Sequence, residues 1–514
     1  MLAERPSIQR RILFIVKNLY TMERLGVMYL SSLARGMDWQ TDLLVADDMK
    51  YRDLLSRINR SRPDILGFSV MTPEYPAIRG LAVRLREDTS CFMLFGGPHP
   101  TFNQEMIHQP FVDGILFGEG EISFPRFLDR FACREDYSRT GGMHFRRNGE
   151  VILNSPAPLL EDLDHIPFPD RDLMSKGTAL HRDYRSHIFF SSRGCPYRCT
   201  YCFNHKYNAL FGSCGKIVRR RSVDNLLEEI ALTKSRYGTE FAYIDDDIFT
   251  LAGRSWLEEF AERFPLEIGV PFYCNVHVKT VTEEKLRLLA KAGCRVICFG
   301  IETGDEAVSR DLLRRDISND EIMDLSRLLH EYGIRFITQN MLALPVDHPL
   351  QVDLRTLDLN IRCRPGLALS QLFFPLPGTD LANYSEQRGY WRAGLDPLPD
   401  RTNSYSALLF PDPSEKERVE RLQKLFGLVA AFPILRQLLP LLIRLPLDRT
   451  YALLYAIWLG FTMRFRMEGN RKSPREVWFF LRSLLKSSLL RRPAVCSLEI
   501  GKRHRRRARP RSRG

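Results

Sequence analysis

The sequence lacks a paired cysteine framework. Its eleven cysteines follow no even spacing, and several sit in apolar strand-like runs, such as Cys294 and Cys298 in GCRVICFG. That suits buried reduced thiols and excludes a small disulfide scaffold. The N-terminus MLAERPSIQRRILFIV has too short an apolar stretch for a signal peptide, and no small-residue cleavage site follows it. A cytoplasmic setting is expected, with attachment to the inner face of a membrane as its variant. Uninterrupted apolar runs of spanning length are also missing. LFGLVAAFPILRQLLPLLIRLP is broken by Pro433, Arg436, Pro440 and Arg444, and YALLYAIWLGFTM has only thirteen residues. Nor is the body strongly basic. Of the formal net charge of +13, Lys502 and seven arginines in 502–514 supply eight, leaving +5 for everything before. Without interleaved aromatics that tail reads as solvated, and no specific nucleic-acid partner is expected.

What is present is a long globular chain of 44% hydrophobic and 27% charged residues, enough for two or three domains. RILFIV (11–16), TDLLVAD (41–47), PDILGFSV (63–70), CFMLFGG (91–97) and VDGILFGEGE (112–121) read as strands separated by helical patterns, LGVMYLSSLAR (25–35) among them. Alternation of this kind predicts an α/β, doubly wound Rossmann-like domain over 1–155. In such a fold ligands lie beyond the strands' carboxyl ends, here the loops SVMTPEY, FGGPHPT and FGEGE. A Pro- and Asp-rich linker spans 156–186. Strand and helix patterns alternate again over 187–390, with Gly238, Gly293 and Gly333 each closing a helix. About six parallel strands predict a partial (β/α)6 TIM-type barrel. Residues 391–490 read as a mostly helical C-terminal cap, begun by a capping box at SEKE (414–417), and 491–514 as a disordered basic tail. The cap is expected to fold over the barrel opening as a lid and to line an apolar substrate pocket. Contact of its apolar surface with a membrane is the alternative.

Three cysteines, Cys195, Cys199 and Cys202, stand in RGCPYRCTYCF with C-x3-C-x2-C spacing, just after the first barrel strand. Zinc would want a fourth ligand, and His205 could complete a Cys3His site. Three thiolates on an iron–sulfur cluster would instead leave one iron open, and Tyr197, Tyr201 and Phe203 would shield it. A large α/β domain needs no metal staple, so the setting favours the cluster.

RGCPYRCTYCFN resembles the cluster motif of the radical S-adenosylmethionine (SAM) superfamily. YIDDDIFT, AGCRVICFGIETGDEAV and FFPLPGT are similar to further segments of its barrel. GGPHPT and GEGE resemble loops of the cobalamin-binding domain that precedes the barrel in the class B methyltransferase-like subgroup. The likeness runs colinearly over about residues 10–390. It implies three cofactors: a [4Fe–4S] cluster on Cys195, Cys199 and Cys202; SAM chelated by the fourth iron; and cobalamin on the first domain. One electron, from a donor such as flavodoxin or ferredoxin, would cleave SAM to a 5′-deoxyadenosyl radical that takes a hydrogen atom from a small-molecule substrate.

Glu302, Asp246 and Tyr201 are the expected residues on the SAM and cluster side, with an N-cap or salt-bridge role as the plainer reading of Glu302. Ser69, Thr72, Gly96, Gly97, Gly118 and Gly120 are expected to cradle cobalamin, the glycines by close backbone approach. By spacing alone that set would equally suit a flavin or nucleotide. The family's D-x-H-x-x-G motif is absent from VKNLYTMERLG, so the lower cobalt face is expected to have no protein ligand, with His99 as the alternative. QNMLALPVDHP lacks a glycine that relatives carry in GlPgEt, which puts the adenine contact there in doubt. Cys363 reads as a buried structural thiol, with an extra catalytic thiol as the alternative, and no other catalytic residue is singled out. The implied activity is methyl transfer from methylcobalamin to a radical-activated carbon of a small molecule, such as a natural product or lipid. A cobalamin-dependent oxidative cyclase or rearrangement enzyme, and a non-catalytic cobalamin or metal sensor, are the alternatives.

Overall fold

Apolar runs become parallel strands buried on both faces, because helices cover each side of the sheet. The computed structural model describes residues 10–19, 23–177, 184–392, 399 and 405–469. In its first sheet β1 (Arg11–Val16), β2 (Gln40–Val45), β3 (Ile65–Ser69), β4 (Phe92–Gly96) and β5 (Gly114–Leu116) are parallel, in the order β2-β1-β3-β4-β5. β6 (Met143–Arg147) and β7 (Glu150–Ile152) continue the β5 edge antiparallel. Alternate residues feed two cores: Ile12, Phe14 and Val16 face one helical layer, Leu13 and Ile15 the other. Strand order reverses between β1 and β3, which opens a crevice at the carboxyl ends.

After β8 (Ser186–Phe189) the chain forms a short ladder, β9 (Ser192–Arg193) with β10 (Arg219–Arg220). β8 then heads a second parallel sheet with β11 (Phe241–Ile244), β12 (Phe272–Asn275), β13 (Cys294–Glu302), β14 (Arg335–Leu342) and β15 (Leu367–Leu372). These six strands do not close on themselves, so the partial barrel is what the sequence predicts. Gly238, Gly293 and Gly333 do take left-handed φ of +68°, +87° and +66° after their helices. The connecting stretch is strapped down. Arg171 donates to Glu23 Oε1 and Oε2 (2.9 and 2.8 Å) on the first domain's side and to Glu229 Oε1 (3.0 Å) on the barrel's, all three buried.

The C-terminal helices differ from expectation. The helix Pro413–Ala431 is capped by Asp412, which accepts from Ser414 N (2.8 Å), because Pro413 fills the first turn; the SEKE box does not form. This helix lies along β15, where a Cβ on Gly427 would meet Ala368 O at 2.9 Å. The chain then runs through Leu435–Leu442 and Asp448–Phe461 into a π-helical turn, Thr462–Glu468. That turn closes the wrong end for a lid. Met467 packs among Phe241, Val296, Ile337 and Leu367, and its carbonyl accepts from Arg295 Nε (3.1 Å). Glu468 accepts from Ser186 Oγ (3.2 Å) and Tyr243 OH (2.8 Å). Ser186, Phe241 and Leu367 begin their strands, so this turn seals the amino-terminal mouth of the barrel, while Leu408, Phe410 and Val419 pack with Leu342, Leu344 and Phe373 at the carboxyl ends of β14 and β15. Among the described residues no helix is long and apolar enough to cross a membrane. The basic tail lies outside the described residues.

Candidate active site

The cysteine loop leaves β8 and is tied at both ends by the acidic run that ends β11. Asp246, with no exposure at all, accepts from Ser191 N (2.7 Å), Ser192 N (2.9 Å) and both serine hydroxyls (2.5 and 2.6 Å), with Arg220 Nη1 at 3.4 Å. Asp247 accepts from Gly194 N (3.0 Å) before Cys195 and from Asn204 Nδ2 (2.7 Å) after Cys202. Gly194 has φ +93°, and a Cβ there would overlap Ile217 O, so only glycine fits. Asn208 Nδ2 holds the Cys195 carbonyl (2.8 Å), and Tyr197 stacks on His277 with centroids 3.8 Å apart. Thr200 O accepts from Leu381 N (2.9 Å), which seats the loop against the end of FFPLPGT. Burial pushes the free thiols of Cys195 and Cys202 up to about 11 and about 12, so metal binding there must displace protons.

Arg315 gathers the rest. It is 7% exposed, and Nη1 donates to Tyr201 OH (3.1 Å) and lies 3.9 Å from Cys199 Sγ, while Nη2 donates to Gly300 O (2.8 Å). Its Nε is buried without a partner. A π-helical turn, Val308–Leu312, delivers it, with Ser309 Oγ bonded to the Arg315 carbonyl (2.9 Å). Glu302, at the end of β13, takes φ +63°. Burial raises its carboxyl above the usual range, and Arg315 and Tyr201 pull it partly back. Cys199, Tyr201, Glu302 and Arg315 thus share one corner. Nothing in a single sequence marks Arg315 in LLRRDIS, and it was not anticipated. Nearby, Ala343 takes φ +59°, the conformation a glycine favours, and Asp353 Oδ2 holds its N–H (3.1 Å). The "missing" glycine of LALP therefore costs strain but not backbone shape.

The first domain meets this rim directly. Glu119 accepts from Arg219 Nη1 and Nη2 (2.8 and 2.5 Å), and Glu121 from Arg193 Nη2 (2.7 Å). Phe102, after the β4 loop, stacks on Phe203, directly after Cys202, at 4.3 Å. So the carboxyl ends of β4 and β5 are clamped onto the cysteine loop.

Residues 189–353 match the family described as "Radical SAM superfamily", and residues 13–128 match "B12 binding domain". The chain is a B12-binding radical SAM protein. It is 24% identical over 368 residues to an "uncharacterized methyltransferase" of Pyrococcus horikoshii, covering 70% of this chain and 78% of that one. It is also 24% identical over 357 residues to the anaerobic magnesium-protoporphyrin IX monomethyl ester cyclase of Rubrivivax gelatinosus, covering 66% and 62%. The radical S-adenosylmethionine methyltransferase TsrM of Kitasatospora setae, solved with cobalamin and a [4Fe-4S] cluster, superposes with a TM-score of 0.64. That match covers 94% of this chain and 99% of TsrM at 14% identity, a likeness of fold. This B12-binding radical SAM protein is a cobalamin-dependent enzyme, and its cofactors are a [4Fe–4S] cluster, SAM and cobalamin.

The residues present fit these groups unevenly. Among the described residues no three His, Cys, Asp or Glu side chains converge to hold a single metal ion, and His205 Nε2 faces Asp380 Oδ2 at 3.4 Å. His205, the fourth ligand of the zinc alternative, is thus engaged by a carboxylate, whereas a cluster would need only the three thiolates. On the B12 side Thr72 Oγ1 is buried without a hydrogen-bond partner just after β3. Ser69, the last residue of β3, has its hydroxyl near Gly97. Other expectations need correction. Asp246 has its hydrogen-bonding capacity used by Ser191, Ser192 and Arg220, which makes it a support of the cysteine loop. Gly97 (φ +98°) is demanded by its approach to Val70, a Cβ on Gly118 would lie 2.6 Å from the Phe211 ring, and one on Gly120 2.7 Å from Leu30. Gly96 keeps ordinary contact with Leu116. Packing alone therefore accounts for glycine at 97, 118 and 120, and no contact within the protein calls for it at 96. His99 is buried and stacked on Tyr75 at 4.0 Å, and burial lowers its pKa to about 4. Cys363 is buried beside Met323 (3.6 Å), as a structural thiol would be.

Proposed function

We propose that this enzyme is a methyltransferase that delivers a methyl group, carried on cobalamin, to a radical-activated carbon of a small-molecule substrate. The observation that carries the reading is the Glu119/Glu121–Arg193/Arg219 clamp, which presses the B12-domain loops onto the cysteine loop. Methyl donor and radical source must work on one carbon, and such a clamp fixes their spacing. Cys195, Cys199 and Cys202 would hold the cluster. Glu302 and Tyr201 would receive SAM, with Arg315 balancing the charge of Glu302 and Cys199. Thr72 and Ser69 would meet the cobalamin face. When bound, these groups supply one-electron SAM cleavage and a transferable methyl group. The protein's own part is to pin the loop through Asp246 and Asp247. Tyr197 on His277 and Phe102 on Phe203 exclude water from its two sides.

The cyclase relatives support a second reading, in which the same cofactors oxidise a substrate without methylation. The test is anaerobic incubation of reconstituted, cobalamin-loaded enzyme with methyl-labelled SAM. Labelled methyl appearing on cobalamin supports methyl transfer. SAM cleavage to 5′-deoxyadenosine with unlabelled cobalamin would favour the cyclase reading. Neither product would leave a sensor.

A further inference from the structure

We propose that the exposed face of the C-terminal helices is a docking surface for an anionic lipid bilayer. Of the sixteen exposed large apolar side chains among the described residues, ten lie between Phe432 and Phe465, so the exposure is a patch and not a scatter. Ile434, Leu438 and Leu441 are 69%, 52% and 60% exposed, while Leu439 and Ile443 of the same stretch are buried. Leu454, Ile457 and Phe461 are 41%, 49% and 50% exposed, while Tyr451 and Ala456 turn inward. Spacings of three and four place each set on one helical face. Contact between the Phe432 and Trp458 rings, 5.6 Å apart, brings the two stripes together.

Charge decides the occupant. Residues 432–447 contain Arg444, an Arg436 paired with Asp358 (2.7 Å), and no acid, and Asp448 is engaged by Arg421 (2.8 Å). Residues 470–514, which follow directly, hold fifteen Lys and Arg against two Glu. They therefore carry the whole formal charge of +13, and residues 1–469 sum to zero. An apolar stripe joined to a concentrated positive charge is the composition of an interfacial helix, which sinks its apolar face to the headgroup boundary beside anionic lipid. A nucleic acid would leave the apolar face wet, and two copies of this chain would bring like charges together.

The test is flotation of the full-length holoprotein with phosphatidylcholine vesicles, with and without phosphatidylglycerol. Protein should rise with the phosphatidylglycerol vesicles and at least about tenfold less with neutral ones. Leu438→Asp combined with Ile457→Asp should lower binding at least about tenfold with iron content and circular dichroism unchanged. If that chain loses either, Leu438→Ser with Ile457→Ser makes the same comparison. Truncation after Gly501 should weaken binding and remove most of its salt sensitivity. The proposal is overturned if the full chain stays unbound, or if the doubly substituted chain floats as well as the parent. It is equally overturned if the parent is a dimer that those substitutions dissociate, since a second copy would then cover the face.

Discussion

The two ends of the barrel solve opposite problems. At the amino-terminal mouth Met467 fills the space between strand starts, and Glu468 is met by Ser186, Tyr243 and Arg464. At the carboxyl rim three thiols, a carboxylate with raised pKa and an arginine with an unpartnered Nε stand together. A buried polar group without a partner costs about 1–3 kcal/mol. At the rim Arg315 Nε carries that cost beside the thiols. The largest expected effect follows from removing a rim thiol. Cys195→Ala, Cys199→Ala or Cys202→Ala should each leave reconstituted protein without cluster iron and without SAM cleavage. Full iron content in any of them would break the contrast.

Arg315→Met should act less severely. The cluster should assemble, but SAM cleavage should fall about 10–100-fold, as with other groups that orient metal ligands. Its potential should drop, because a positive charge beside Cys199 favours the reduced cluster. Potentiometry followed by electron paramagnetic resonance reads this directly, and an unchanged potential would place Arg315 in a packing role only. Met467→Ala should do the reverse. Loss of its buried side chain should cost about 2–4 kcal/mol in unfolding free energy, with SAM cleavage per cluster unaltered. A drop in that turnover would mean the mouth is coupled to the rim.

How much of this could be read from the chain depends on what each residue answers to. Strands and helices answer to periodicity, which is local: LGVMYLSSLAR folds as the helix Leu25–Arg35, and RILFIV is β1. The cysteine triplet answers to its spacing. The glycines of FGGPHPT and GEGE are ambiguous in sequence, because close backbone approach has the same signature whether the neighbour is a ligand or, as at Gly118, the ring of Phe211 on another domain. In DDD the central carboxylate pointed inward to two serines, which alternation along a strand could not distinguish from a pocket. Arg315 was invisible because its partners are over 100 residues upstream at Cys199 and Tyr201. The turn at Met467 was not foreseen at the amino-terminal mouth, because apolar surface tells how much a segment buries, not which end of a barrel it covers.

The smallest effect tests the strained turn at Ala343. Asp353 is fully buried, accepts from Ala343 N through Oδ2 and leaves Oδ1 without a partner. Burial raises its carboxyl well above the ordinary value, with Glu415 adding to the rise and the Ala343 N–H opposing it. In the folded chain it therefore holds its proton to a higher pH than in the unfolded chain. Between the two pKa values the native state binds more protons, so stability falls as pH rises, by at most about 1.4 kcal/mol per pH unit. Asp353→Asn keeps an acceptor for Ala343 N and removes the titration. The wild type should thus gain stability relative to Asp353→Asn as pH is lowered from about 7 to about 5, measured by denaturant unfolding of both holoproteins side by side. A difference independent of pH would mean that the carboxyl stays charged, and that Oδ1 finds a partner in solution.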